Sequence, residues 1–123
     1  MAYDVERIER GIFSVKFSLS ASIDERIASL EHADGLRSDD ESLSLLFDMR
    51  EAEICPYGAG PALALSDALA RRRRTGSKVA HLLRQGQTDL ATTVMASLCP
   101  RNASQRFTSR AEALQWLRDC GGE

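Results

Sequence analysis

Short apolar runs recur along this chain, and each gives way to a polar turn and then to a stretch patterned as a helix. Leu43-Ser44-Leu45-Leu46-Phe47-Asp48, Lys78-Val79-Ala80-His81-Leu82-Leu83 and Gln105-Arg106-Phe107-Thr108 read as strands. Strand–helix alternation is a strong constraint. Parallel neighbours can be joined only by a crossover that returns the chain to the same end of the sheet, and a helix is the usual crossover.

The N-terminal segment follows a different rule. Tyr3 and Val5 share one face of a first strand, and Phe13, Val15 and Phe17 alternate with Ser14 and Lys16 in a second. Glu9-Arg10-Gly11 supplies a tight turn between them, so an antiparallel hairpin is expected. Ser22-Ile23-Asp24-Glu25 then forms a capping box, in which hydroxyl and carboxylate satisfy orphan amides reciprocally. The helix it opens carries Ile23, Ile27 and Leu30 on one stripe and stops near Gly35, ahead of a polar loop from Arg37 to Ser42.

Beyond the 43–48 strand, Glu51 to Gly60 reads as a connecting loop, Pro61 as the first helical residue and Gly76 as the helix stop. Ala62, Leu65 and Leu69 form the expected buried stripe, with Ala64 and Ala68 small enough for close packing. The nearly all-apolar run Val79 to Leu83 fits a central strand covered on both faces. A third helix is expected from Thr88 to Pro100. A fourth opens with a second capping box, Ser109-Arg110-Ala111-Glu112, turns Ala113, Leu114 and Leu117 inward and ends at Gly121-Gly122. The expected architecture is α/β: one domain over residues 1–123, a mixed sheet of about five strands and four helices in the order β-β-α-β-α-β-α-β-α.

Sixteen basic against eighteen acidic residues leave a net charge of −2, so no whole-molecule field draws the chain to nucleic acid, and no nucleic-acid partner is expected. No apolar run is long enough to span a bilayer. The stretch Met1 to Arg7 has no basic region leading into an apolar one, so no membrane insertion and a cytoplasmic location are the expectation. Cys55, Cys99 and Cys120 are widely spaced, form no C-x-x-C pair and have only His32 and His81 to complete a site; no metal or cofactor is expected. Reduced thiols fit this pattern. Arg71-Arg72-Arg73-Arg74 turns by about 100° per residue, so it surrounds the helix axis and reads as a solvated helix end. Gly58-Ala59-Gly60-Pro61 lacks the Lys and hydroxyl of a phosphate loop. His81 reads as a core or interface histidine, and Trp116 as a half-exposed ring that either docks a partner or closes the core.

In open α/β sheets, ligands and partners dock beyond the carboxyl ends of the strands. That edge is expected to carry Asp48, Met49 and Arg50 after one strand, and Arg84, Gln85, Gly86 and Gln87 after the next. Arg50 and Arg84, with the amides at the Thr88 helix start, are suited to an anion. An ion pair between Asp48 and one of these arginines is the weightier reading, worth about 0–1 kcal/mol at a surface.

The element order, together with Leu45-Leu46-Phe47-Asp48-Met49-Arg50, Lys78-Val79-Ala80 and the closing F-x-S-x-x-E-A-L-x-W-L of residues 107–117, resembles the STAS-like group, the fold of bacterial anti-sigma-factor antagonists. The resemblance spans nearly the whole chain. It implies a regulatory or protein-interaction module. Antagonists that switch by phosphorylation carry Ser or Thr just after the central strand; here Met49 to Pro61 holds neither, which argues against a phosphoswitch. The expected function is therefore a non-catalytic interaction module, self-associating as a homodimer or binding another protein through Asp48, Arg50, Tyr57, Arg84 and Gln85. The alternative is a carrier or sensor of a small acidic or lipid-like ligand. An enzyme using Cys55 as nucleophile ranks last.

Overall fold

The computed structural model describes residues 3–18, 20–54, 58–72, 78–87 and 104–119. A five-stranded sheet runs in the spatial order β1-β2-β4-β6-β7, built from β1 (Tyr3–Glu9), β2 (Ile12–Phe17), β4 (Ser44–Asp48), β6 (Val79–Leu82) and β7 (Ser104–Phe107). β1 and β2 form the expected antiparallel hairpin; every later pairing in the sheet is parallel. The hairpin turn needs Gly11. Its φ is +84°, and a Cβ there would meet the Ser42 Oγ at 2.7 Å.

Three helices are described: α1 (Ile23–Leu36), α2 (Ala59–Arg72) and α3 (Arg110–Asp119). The helix expected from Thr88, the stops at Gly76 and Gly121-Gly122, and Cys55, Cys99 and Cys120 lie outside the described residues. α1 begins with the capping box read from the sequence: the Glu25 N–H donates to Ser22 Oγ at 3.1 Å, and the Ser22 N–H donates to the Glu25 carboxylate at 3.3 Å. At α3, Ser109 Oγ accepts from the Glu112 N–H at 3.3 Å.

Period-2 alternation sorts the core into two layers. Phe13, Val15, Phe17, Leu45 and Phe47 join Leu30 and Ala33 of α1 and Leu65 of α2 on one face. Ile12, Leu46, Ala80 and Leu82 meet Ala113 and Leu117 of α3 on the other. β4 and β6 are buried along their whole length, as central parallel strands must be. Ring contacts of about 6 Å run from Tyr3 to Phe17, Phe47 and His81 across the first layer, so His81 is a core residue.

Several details differ from expectation. Ser20–Ala21 and Glu53–Ile54 pair as short parallel strands, β3 and β5, inside stretches read as connections. Pro61 is the third residue of α2 rather than the first; the first-turn N–H groups have no intrahelical acceptor, so proline fits there equally well. Leu65 is buried as expected, but Ala64 is exposed, and Leu63 stands 48% exposed. The side chains of Ala62 and Leu69 lie outside the described part. Arg71 is exposed and pairs with Asp67 one turn earlier, at 2.7 Å. Trp116 is half-buried, its ring against Phe107 and under the Lys78 ammonium, which lies 4.4 Å from the ring centroid.

Candidate functional site

The carboxyl ends of β4, β6 and β7 lie side by side because the three strands are parallel and in register, Asp48 opposite Leu82 and Leu82 opposite Phe107. The residues after them therefore share one edge. Asp48 is buried and grips the Arg50 guanidinium with both oxygens, each at 3.1 Å, while accepting the Arg50 N–H at 3.2 Å. This is a fork-to-carboxylate pair, the strong geometry for such contacts. The hydrogen bonding of its guanidinium to the Asp48 carboxylate, outweighing the opposing effect of burial, raises the Arg50 pKa above its ordinary value. Arg50 is thus committed to Asp48, as the ion-pair reading requires.

Arg84 takes a different part. Its Nη1 donates to the carbonyls of Arg50 and Ala52 at 2.7 and 3.4 Å. Gln87 works beside it: Nε2 donates to the Met49 and Ala52 carbonyls at 2.8 and 3.1 Å, and Oε1 accepts the Arg84 N–H at 2.9 Å. Residues 84–87 form a turn closed by the Gln87 N–H donating to the Arg84 carbonyl at 3.0 Å, with Gly86 at φ +83° in the third position, where such a turn calls for glycine. Two side chains on the β6 turn thereby tie down the loop after β4. The edge is held in shape before anything binds to it.

Gln85 is exposed at the tip of this turn. Tyr57 and Thr88 lie outside the described residues. One residue that the sequence did not single out joins the edge: Arg106, placed by β7 opposite His81, lines an open cleft of about 260 Å³ together with Leu83, Arg84, Gln85, Gln87 and Thr108. The available signal was the run Gln105-Arg106-Phe107-Thr108, but only Phe107 marks it as a strand, and its neighbours follow from the β6–β7 register. At the other side of the edge, Lys16 of β2 pairs with Glu51 at 3.0 Å. Among the described residues, no group of three His, Cys, Asp or Glu side chains is placed to hold a metal ion. Nor is any helix there long and apolar enough to cross a membrane.

No protein-family model matches the sequence, and no curated protein is significantly similar to it. Solved structures do match. The chain is 22% identical to an uncharacterised protein of the DUF3478 family with a SpoIIAA-like fold from Shewanella loihica, over 94% of this chain and 92% of that one, with a TM-score of 0.57. It is 13% identical to the anti-sigma factor antagonist SpoIIAA in its unphosphorylated form, over 95% and 98% of the two chains, with a TM-score of 0.57. The Bacillus cell fate determinant SpoIIAA in its phosphorylated form gives 12% identity, 93% and 97% coverage and a TM-score of 0.54. The fold is therefore SpoIIAA-like, of the STAS-like type: a small α/β arrangement with a five-stranded mixed sheet.

Proposed function

We propose that the protein is a non-catalytic regulatory module that binds another protein through the carboxyl-terminal edge of its sheet. The observation that supports this most is the prior ordering of that edge. Arg50 is fixed by Asp48, and Arg84 and Gln87 are fixed by backbone carbonyls of the neighbouring loop. Side chains already held in place lose little entropy on docking, which favours recognition. Gln85 and Arg84 are exposed on the same turn and lie first in a partner's path. The likeness in fold to an anti-sigma factor antagonist is consistent with such a role. Met49 to Pro61 contains no Ser or Thr, so control of this module does not run through their phosphorylation after β4. A second reading, a sensor of a small acidic ligand, draws on the arginine-lined cleft beside Gln85.

The test is comparative capture from the cells of origin. Tagged wild type, the Arg50→Ala/Arg84→Ala double variant and Gln85→Glu are expected to differ: a protein held by wild type falls at least tenfold in both variants. Circular dichroism confirms that each variant is folded, and native mass spectrometry reports whether the captured protein is a second copy. Equal recovery by all three removes the edge from consideration.

A further inference from the structure

We infer that the cleft between the ends of β6 and β7 binds a phosphate-type dianion, held by Arg84 and Arg106 with help from the Thr108 hydroxyl. The inference deepens the reading of this edge as a recognition surface and rests on it.

Asp48 is neutralised by Arg50, and Glu51 by Lys16. Arg84 and Arg106 pair with no carboxylate among the described residues, and no Asp or Glu from them lines the cleft. Among the described residues, then, two positive charges face the same open space uncompensated. Arg84 is oriented through Nη1, which leaves its Nε–H and Nη2–H donors without an acceptor among the described residues. The Arg106 side chain is exposed and makes no hydrogen bond or ion pair with the described residues. Thr108 adds a hydroxyl and Gln85 an amide, so donors converge from β6, its turn and β7.

Stoichiometry of charge selects the ligand class. A phosphate monoester carries about −1.5 to −2 at neutral pH and presents three strong acceptor oxygens, which matches two guanidinium forks and a hydroxyl. A single carboxylate would leave one arginine unanswered. Arginine is also the side chain best shaped to meet phosphate with two parallel hydrogen bonds. The shared chemistry is the phosphoryl group, whether free in solution or carried on a protein partner.

Heteronuclear NMR titration of the whole chain tests this with inorganic phosphate, a phosphoserine pentapeptide and sodium acetate at matched ionic strength. Phosphate and the phosphopeptide are expected to shift the Arg84 and Arg106 Nε–Hε and Thr108 amide signals saturably, and acetate is not. Arg106→Gln, which removes no side-chain hydrogen bond or ion pair among the described residues, is expected to weaken binding at least tenfold, and Thr108→Val severalfold. A phosphopeptide bound more than tenfold tighter than phosphate assigns the group to a partner protein; comparable affinities assign it to a free ligand. Absence of saturation, equal response to acetate, or unchanged affinity in Arg106→Gln overturns the inference. Partner capture that survives in Arg106→Gln but is lost in Gln85→Glu leaves the interaction reading standing without it.

Discussion

Replacing Glu41 with glutamine removes a charge on which four donors converge. Its carboxylate accepts from the Gly11 N–H at 2.6 Å, the Ser38 N–H at 2.8 Å, and Arg7 Nη2 and Nε at 2.6 and 3.1 Å. Burial alone pushes this carboxyl upward, but the hydrogen bonds from Ser38, Gly11 and Arg7 outweigh it and bring the pKa down to about 2. In an unfolded chain a glutamate titrates at about 4.3. A lowered folded-state pKa stabilises the fold fully above that value, and the benefit is lost as pH falls toward 2. Glu41→Gln is therefore expected to destabilise the protein by about 1.5–3 kcal/mol at neutral pH, the range for hydrogen bonds to a charged group. Urea unfolding at pH 6, 4 and 2.5 checks this: the gap between wild type and variant narrows across the two lower values. A constant gap would mean that the ionised carboxylate is not what is being lost. Glu41 sits in a run read only as a polar loop, since burial of a charge depends on donors some thirty residues away. Arg26 is wholly buried on α1, and nothing in the spacing of the apolar stripe Ile23, Ile27 and Leu30 marks it as a core residue.

Between elements, Lys78 joins the sheet to α3. Its ammonium donates to the Trp116 carbonyl at 3.1 Å and sits over the Trp116 ring. That carbonyl belongs to the last turn of the helix, where a cation is favoured. Lys78→Met keeps the stem and removes the charge. It is expected to cost about 1–2 kcal/mol, the combined scale of a cation–π contact and a hydrogen bond to a charged group. Trp116 is the sole tryptophan, so its emission reports the loss directly, and an unchanged emission maximum and melting temperature would refute it. Elements with period or caps were readable in advance: Phe13, Val15 and Phe17 announce a strand, and Ser22 and Glu25 a helix start. β3 and β5 were not, because two residues are too few to show a period, and their pairing depends on the tertiary placement of loops. The Asp48–Arg50 contact was legible because the two residues stand two apart at a strand end. Arg106 belongs to the site through register alone.

For the molecule as a whole, burial predicts a gradient of local stability. β4 and β6 are covered on both faces and flanked on both sides, whereas β1 and β7 each have one unpaired edge within the sheet. Native-state hydrogen exchange is expected to show the amides of Leu45, Leu46 and Phe47 opening only with global unfolding, and those of β7 exchanging at least tenfold faster. Equal protection across the sheet would contradict this. The strand order across the sheet is also the order of the strands along the chain. As a ribosome delivers the chain, each new strand can dock on the outside of the last, and none has to be threaded between two partners already joined. Such growth leaves the outer edge of the newest strand bare at every stage, besides that of β1. While β4 is outermost, that edge presents Leu45-Leu46-Phe47 with unpaired backbone groups, a template for any neighbouring nascent chain, until β6 closes over it.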